Sequence, residues 1–506
     1  MNNNKRIAQN TLLLYFRMLF MMTISLYTSR VILDTLGTED YGTYNVVAGF
    51  VSMFLIISGA MTTASQRYIS FEIGKGKDGN VKTVFTTCVI IHIALALITI
   101  LFAESIGVWF INNKLNFSID RYGAANWVFQ ISLISFAISI ISVPYNAAII
   151  AYERMSAFAY IGIFEATMKL LIAYLLMLSP IDKLIFYATL LAAVDIILRF
   201  VYGIYCKHHF QECRCNWKFD KQLGKNMGAF VSWNLIGSLA GIAKEQGINI
   251  LLNIFFGSVV NAARGIAFIV MGRLASFVNN FQTALNPQIV KSYASHEKER
   301  MFSLVFKGSK FSYLLLMIFS IPIIIETPYI LNIWLVEVPE HTTIFLRIVM
   351  LTGLVDSLSG TLITSMHASG KVRDYQIIVG GLSFMTFPFA YILFNMGYKP
   401  EAAFFITLFM AVICHFARLV LLKKSIQLPI KDFLKKVTFN VLATNILSMI
   451  PPILIYQIMP NNFSSFCIVT TVSIISSIAI SYCFSLSLEE QVFIKNAITK
   501  TFKKKV

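Results

Sequence analysis

Residues 11–37 read TLLLYFRMLFMMTISLYTSRVILDTLG, an almost wholly apolar run. The hydrocarbon core of a bilayer is about 30 Å thick, and roughly 20 helical residues cross it. The run is long enough to do so, yet it contains two arginines, Arg17 and Arg30. A charged side chain near the bilayer centre costs at least ~2.5–3.5 kcal/mol. The stretch therefore predicts a membrane-spanning helix whose charges need a polar environment.

The composition of the 506-residue chain extends this interpretation. Hydrophobic residues make up 57% of the chain and charged residues only 13%, whereas soluble domains carry about 25% charged residues. This deficit indicates a polytopic membrane protein rather than a soluble domain with one anchor. The seven cysteines are scattered and fall mostly in apolar segments, which predicts no disulfide framework.

Apolar windows of spanning length recur along the whole chain. They predict an all-α polytopic membrane protein with about fourteen transmembrane helices. The predicted spans are roughly 11–33, 43–64, 84–103, 124–147, 157–178, 184–206, 228–256, 259–285, 306–326, 341–366, 376–395, 401–422, 437–458 and 463–486.

The distribution of basic residues predicts the orientation of these spans. With both termini in the cytoplasm, most of the 42 Lys and Arg residues fall in inner loops and tails. The outer loops hold only four: Lys114, Arg121, Lys183 and Lys399. Cytoplasmic loops are enriched in Lys and Arg, so this bias supports the topology. The net charge of +17 then indicates orientation and attraction to anionic lipids rather than nucleic-acid binding.

A faint internal repeat relates the two halves. A shift of 220 residues places Gly37 on Gly257, and a shift of 217 places AYERMSAFAY (151–160) on ASGKVRDYQI (368–377). Each half contributes six spans, an even number, so the repeat is parallel with a pseudo-twofold axis along the membrane normal. The predicted domains are an N-terminal six-helix bundle at 1–206, a C-terminal six-helix bundle at 207–425, two additional transmembrane helices at 426–486, and a basic amphipathic cytoplasmic tail at 487–506.

Nine basic residues lie inside predicted spans, where acidic residues are fewer. Glu165 and Lys169 are four residues apart, as are Asp195 and Arg199, a spacing that favours pairing along one helix. We therefore expect these two pairs to neutralise each other locally. Snorkelling to a membrane boundary is the alternative for several of the cations. The nine basic residues are Arg17, Arg30, Lys169, Arg199, Lys244, Arg264, Arg273, Arg347 and Arg418.

Five of these cations are candidates for binding an anionic substrate in a cleft between the two bundles. Their helical spacing does not place them on one stripe, and packing or snorkelling remains the competing explanation for them. Glu245 directly follows Lys244 but points about 100° away around the helix, so it is not an obvious partner. The candidate substrate-binding residues are Arg17, Arg30, Lys244, Arg264 and Arg273, and the candidate coupling-ion carboxylates are Asp34, Glu245 and Asp356.

Several blocks of sequence together resemble one protein family. The blocks are NKRIAQNTLLLYFRM (4–18), SLYTSRVILDTLGTEDYGTYNVV (25–47), GAMTTASQRYISFEIGKG (59–76), PYNAAIIAYERMSAFAYIGIFEATMKL (144–170) and INILLNIFFGSVVNAARGIA (248–267). As a set they are similar to bacterial polysaccharide exporters of the O-antigen flippase (Wzx-type) group. That group belongs to the multidrug/oligosaccharidyl-lipid/polysaccharide (MOP) transporter superfamily. The resemblance covers most of residues 5–430.

This resemblance implies two six-helix bundles and alternating access. It implies translocation of undecaprenyl-pyrophosphate-linked oligosaccharide units from the inner to the outer leaflet of the bacterial cytoplasmic membrane, for O-antigen, capsule or exopolysaccharide assembly. We expect a monomer that contacts membrane lipids, a polysaccharide polymerase and a chain-length regulator, and that binds no nucleic acid. We expect no cofactor and no metal site, with coupling to H⁺ or Na⁺ left open. The pyrophosphate of the substrate would suit the intramembrane cations.

Two other functions compete with this interpretation. A cation-coupled multidrug antiporter of the same superfamily (MATE-like) would need carboxylates in its cleft, but the intramembrane charge is mainly basic. A membrane polymerase or glycosyltransferase would place carboxylates on a long outer loop. The longest predicted outer loop, 104–123, holds only two carboxylates, Glu104 and Asp120. We therefore expect a transporter rather than an enzyme, and the lack of a Walker-type loop argues against ATP-driven export by this chain.

Overall fold

The computed structural model describes residues 3–52, 54–114, 121–179, 181–213, 219–335, 338–460 and 462–492. Over these residues the chain is helical, with short 3-10 and π segments and no β-strand. The predicted all-α polytopic class is confirmed.

Six helices make up the first half of the chain, and α7 and α8 follow them. The eight are α1 (Asn3–Ser52), α2 (Leu55–Gly74), α3 (Val81–Lys114), α4 (Tyr122–Ala151), α5 (Met155–Met177), α6 (Lys183–His209), α7 (Lys221–Phe256) and α8 (Ser258–Ala294).

Ten further helices complete the described chain. They are α9 (Lys298–Ile325), α10 (Thr327–Trp334), α11 (Thr342–Ser357), α12 (Gly360–Ser369), α13 (Val372–Tyr375), α14 (Gly381–Asn395), α15 (Glu401–Ile426), α16 (Ile430–Phe433), α17 (Phe439–Ile458) and α18 (Phe463–Ile480). A π segment, Gln376–Gly380, joins α13 to α14. A second, Leu434–Thr438, joins α16 to α17, and a third, Ser481–Ser485, follows α18.

Twelve segments of the described residues are long and apolar enough to cross a membrane. The predicted windows 43–64 and 228–256 are not among them. The first window is divided between the end of α1 and the start of α2. The second lies inside α7, which at 36 residues is about 54 Å long. The composition of the window 228–256, rather than its length, keeps it from being counted among the twelve apolar segments, because the stretch around Lys244 is polar and rich in glycine.

Two glycines aligned by the internal repeat share an unusual backbone conformation. Gly37 has φ 77° at a kink within α1, and Gly257 has φ 84° between α7 and α8. Residues with a Cβ rarely adopt such positive φ values, whereas glycine does so at little cost. The repeat-related positions 37 and 257 therefore share a glycine with positive φ.

Contacts divide the chain into two compact units. Unit 1 comprises residues 1–238 and 283–298, and unit 2 comprises residues 239–282 and 299–506. Helices α7 and α8 thus each contribute residues to both units. The predicted domain limits at 206 and 425 stay a prediction. Of the predicted basic tail, residues 493–506 lie outside the described residues.

Helix α4 is central to unit 1, where it packs against α1, α2, α3 and α6. Its residues Ala147, Ala148 and Ile149 are fully buried. Small side chains let membrane helices approach closely, which explains the alanines. Unit 2 has a core built on α7, α8, α11 and α15, in which the rings of Phe345 and Phe404 stack with centroids 4.0 Å apart.

A strained glutamate holds the end of α8 within unit 1. Glu153, in the turn after α4, has φ 59° although it carries a side chain. Its carboxylate accepts a hydrogen bond from Lys291 Nζ at 2.7 Å and one from Gln288 Nε2 at 3.1 Å. At the 217-residue shift of the repeat its counterpart is Gly370, which has φ 76°. The repeat thus places a glycine in one half where the other half has an ion-paired glutamate.

Polar contacts fasten the last two helices to α9 within unit 2. Asn445 on α17 donates a hydrogen bond to the Tyr313 hydroxyl at 2.7 Å. Lys310 Nζ donates to the Ser485 carbonyl oxygen at 3.0 Å and to Glu490 Oε2 at 2.5 Å. The side chains of Lys310 and Glu490 are only 10% and 8% exposed. Both charges are buried, so each depends on the other for compensation.

Candidate functional site

Unit 2 contains a cavity of about 250 Å³ that brings together four of the predicted site residues. Helix α7 contributes Lys244 and Glu245, α8 contributes Arg264, and α11 contributes Asp356. The rest of the wall is mainly apolar. It comprises Ile248, Phe268, Met271, Ala275, Val349, Thr352, Gly353, Ala403, Phe404 and Thr407.

Arg264 is firmly positioned on the wall of this cavity. Its Nη2 donates hydrogen bonds to the backbone oxygen and to Oε2 of Glu245, both at 3.0 Å, and its Nη1 donates to Asn249 Oδ1 at 3.3 Å. The guanidinium carbon lies 4.4 Å from the centre of the Phe268 ring, within the range of a cation–π contact. The buried Nε has no hydrogen-bond partner among the described residues. Arg264 thus keeps one donor unused.

Glu245 is shared by two cations. Its Oε1 lies 3.8 Å from Lys244 Nζ, and its Oε2 lies 3.0 Å from Arg264 Nη2. Glu245, which the helical spacing does not indicate as an obvious partner of Lys244, therefore does pair with it. Their Cβ atoms diverge around the helix, but the long lysine side chain spans the distance. With Asp356 also on the wall, this cavity holds two cations and two carboxylates, so it carries no surplus of positive charge.

The other predicted cations lie elsewhere. Arg30 on α1 and Arg273 on α8 are exposed, and neither forms a hydrogen bond or ion pair within the described part of the chain. Asp34 on α1 is also exposed. The structure therefore groups Lys244, Arg264 and their two carboxylates in one cavity, while Arg30, Arg273 and Asp34 lie outside that group.

Arg17 packs against α5 in unit 1. Its guanidinium carbon is 4.1 Å from the centre of the Phe158 ring. A Cβ on Gly162 would collide with Arg17 Nε, so the glycine makes room for the arginine. The Nε atom is buried and has no hydrogen-bond partner among the described residues. Arg17 is thus a packed residue of the unit 1 helices and does not line the unit 2 cavity.

A second cavity, of about 190 Å³, lies in unit 1. Two carboxylates, Glu165 and Asp195, contribute to its lining. Glu165 pairs with Lys169 at 2.6 Å, as its spacing predicts. Asp195 instead accepts a hydrogen bond from Ser135, so its predicted pairing with Arg199 is wrong. The remaining lining residues are Thr62, Ser139, Ser142, Val143, Asn146, Leu198 and Tyr202.

A cation–π contact explains why Arg199 does not pair with Asp195. Its guanidinium carbon lies 3.9 Å from the centre of the Tyr145 ring on α4. An aromatic face on a neighbouring helix competes with a carboxylate one turn away on the same helix. The i,i+4 spacing cannot reveal this competitor, because Tyr145 is distant in sequence.

The two cavities suit different ligands. The unit 1 cavity offers carboxylate, hydroxyl and amide oxygens, which are groups that bind protons or hard cations. The unit 2 cavity offers ammonium and guanidinium groups beside an apolar wall, and it could take an anionic group attached to an apolar chain where that group replaces a carboxylate as the partner of the cations. No cluster of three or more His, Cys, Asp or Glu side chains that could hold a metal ion occurs in the part of the chain that the structure describes.

Comparisons with known proteins identify the fold. No family model and no curated protein matches the chain. Among solved structures, an outward-facing multidrug resistance MATE family transporter of the MOP superfamily is similar, with a TM-score of 0.71 and 12% identity over 83% of this chain and 95% of that one. A Vibrio cholerae MATE transporter matches with a TM-score of 0.70 and 15% identity over 84% and 97% of the two chains.

A third similar structure is a MOP superfamily transporter from Pyrococcus furiosus. It matches with a TM-score of 0.67 and 11% identity over 83% of this chain and 97% of that one. Identities this low show the fold alone. Each of the three matched proteins is described as a transporter. The chain therefore has the fold of the MATE transporters of the MOP superfamily.

Proposed function

We propose that this protein translocates undecaprenyl-pyrophosphate-linked oligosaccharide units from the inner to the outer leaflet of the bacterial cytoplasmic membrane by alternating access. The fold is that of membrane transporters, and the sequence blocks quoted above are similar to O-antigen flippases. In this proposal the polymerase and the chain-length regulator act on the exported units.

The observation that carries the proposal is the exposure of Arg30 and Arg273. Both lie on helices apolar enough to span a membrane, and neither has an ion-pair partner among the described residues. Hydrocarbon cannot accommodate a bare guanidinium at low cost, whereas a pyrophosphate group would bind it through charge-assisted hydrogen bonds. The Pyrococcus furiosus transporter is described as having a binding pocket of reverse polarity that suggests a different function. Pocket polarity thus varies on this fold.

A cation-coupled multidrug antiporter is the second candidate. The matched MATE structures support it. The unit 1 cavity, with Glu165 and Asp195 on its wall, is compatible with it. Carboxylates of this kind could hold H⁺ or Na⁺ in either function. The cavity therefore favours ion coupling without distinguishing the two cargoes.

Deletion of the gene in its native host tests the proposal. We expect a lipid-linked oligosaccharide to accumulate on the inner leaflet and the surface polysaccharide to be lost. Re-expression of the wild type restores export, whereas Arg30→Ala and Arg273→Ala restore it poorly at equal membrane abundance. Lys399→Ala removes an exposed positive charge from a connection between helices and is the matched control.

The same strains distinguish the alternative. Normal surface polysaccharide in the deletion strain, together with increased sensitivity to cationic drugs, would establish the antiporter and reject the flippase. Full export by both arginine variants would reject their role in substrate binding even if the deletion phenotype is as expected.

A further inference from the structure

The members of the Lys244–Glu245–Arg264 cluster differ in exposure. The Glu245 side chain is 40% exposed, whereas those of Lys244 and Arg264 are 18% and 13% exposed. Arg264 is also held by Asn249 and Phe268. Arg264 is therefore a fixed and shielded cation and Lys244 a shielded one, whereas the carboxylate is the partner with access to solvent.

From this asymmetry we infer that Glu245 is an internal counter-ion, which occupies Lys244 and Arg264 until a phosphate group of the substrate displaces it. The inference rests on the proposed function and adds a phosphate-binding group in the unit 2 cavity, apart from Arg30 and Arg273, with Glu245 as the residue that controls it. An unpaired buried cation is costly, so the empty cavity needs a carboxylate. An incoming phosphate accepts the same hydrogen bonds and does not require the cations to move.

The second carboxylate of the cavity compensates only in part for the loss of Glu245, because it is shared between two cations. Asp356 lies within electrostatic range of Arg418 as well as Lys244. The guanidinium of Arg418 is held nearby by the Ser359 hydroxyl at 3.0 Å and the Tyr375 hydroxyl at 3.3 Å. Asp356 thus divides its charge between Arg418 and Lys244, and displacing Glu245 leaves Arg264 without its ion-pair partner.

The cavity also limits the size of the group that binds. A volume of about 250 Å³ lies below the range of roughly 300–1,000 Å³ that is usual for pockets enclosing drug-sized ligands. It suits one phosphate or pyrophosphate group rather than a whole lipid-linked oligosaccharide. Phe268, Met271 and Phe404 on the wall would contact the apolar chain next to that group.

Binding measurements on the purified full-length protein test the inference. Isothermal titration calorimetry would use geranylgeranyl pyrophosphate, inorganic pyrophosphate and uncharged geranylgeraniol as probes. Removing the competing charge in Glu245→Gln should increase pyrophosphate affinity by about tenfold, the order of one charge-assisted hydrogen bond. Arg264→Gln should lower it by a similar factor. Asp374→Asn, which removes an exposed negative charge from unit 2, is the matched control and should change nothing.

The probes separate the two sources of phosphate. An increase for geranylgeranyl pyrophosphate alone indicates a lipid headgroup, and an equal increase for inorganic pyrophosphate indicates free phosphate. Glu245→Ala repeats the test if Glu245→Gln does not fold. An unchanged or lower pyrophosphate affinity in the Glu245 variants overturns the counter-ion, even if the wild type binds the lipid and the proposed function stands.

Rhodamine 6G, a cationic dye, is a probe of opposite charge to the pyrophosphates. If Glu245 holds a cationic substrate, Glu245→Gln weakens dye binding and leaves pyrophosphate binding absent in every variant. That result would reject both the counter-ion and the flippase. Stronger pyrophosphate binding with no change in dye binding supports the counter-ion.

Discussion

Replacing Glu153 by glycine separates two opposing contributions to the stability of unit 1. Glycine removes the cost of the left-handed conformation, about 1–2 kcal/mol for a residue with a side chain. It also removes the ion-pair partner of Lys291, whose side chain is only 21% exposed. Loss of one member of a buried pair costs about 3–5 kcal/mol. Since Lys291 retains some exposure, we expect a net destabilisation at the lower end of about 1–4 kcal/mol.

Thermal unfolding of the purified protein in detergent, followed by intrinsic fluorescence, measures the effect. Glu153→Gly should unfold at a lower temperature than the wild type. The double variant Glu153→Gly with Lys291→Met removes both the strain and the buried charge, so it should recover the wild-type value or exceed it. Gly370→Ala, at the repeat-related position, adds strain without changing a charge and should cost about 1–2 kcal/mol.

Two results would refute this reasoning. A Glu153→Gly variant more stable than the wild type would show that the ion pair contributes less than the strain. A double variant no more stable than Glu153→Gly would show that breaking the Glu153–Lys291 ion pair is not the source of the loss.

Three further predictions concern other sites. Gly162→Ala should destabilise the protein by about 1–3 kcal/mol, as overpacking does, and pairing it with Arg17→Met should restore the unfolding temperature. Lys310→Met should lower the unfolding temperature more than Glu489→Gln, an exposed control, because it leaves the Glu490 carboxylate buried without its partner. Burial raises the pKa of Glu326, which lies between α9 and α10. Ionisation of its carboxyl therefore lowers the stability of the fold as pH rises through its pKa. Glu326→Gln should raise the unfolding temperature at pH 8 but not at pH 4. An equal change in unfolding temperature at both pH values would contradict this.

Much of the fold follows from apolar length and loop charge. The window 11–33 lies within α1, and the glycines at 37 and 257 both have a positive φ. The window 228–256 shows the limit of this approach. It forms a helix, but its hydropathy is reduced by polar residues that contribute to the wall of a cavity. Length therefore predicts helix formation better than it predicts contact with lipid.

The candidate site was less predictable, because side-chain partners come from distant parts of the chain. Helical spacing correctly predicts the Glu165–Lys169 pair, since both partners are on α5. It does not predict that Glu245 also pairs with Arg264, which is nineteen residues away on α8. It also misses the hydrogen bond from Ser135 to Asp195, which joins α4 to α6. Contacts between helices depend on packing that spacing along one helix does not determine.

The polar contacts of α9 with the last two helices constrain how this protein can be engineered. A truncation before residue 440 would leave the Tyr313 hydroxyl and the Lys310 ammonium without the partners that Asn445, Ser485 and Glu490 provide. A hybrid transporter that exchanges the last two helices should therefore exchange α9 with them. A fluorescent reporter inserted between residues 445 and 490 would disturb the same contacts, so a C-terminal fusion is better placed beyond residue 490.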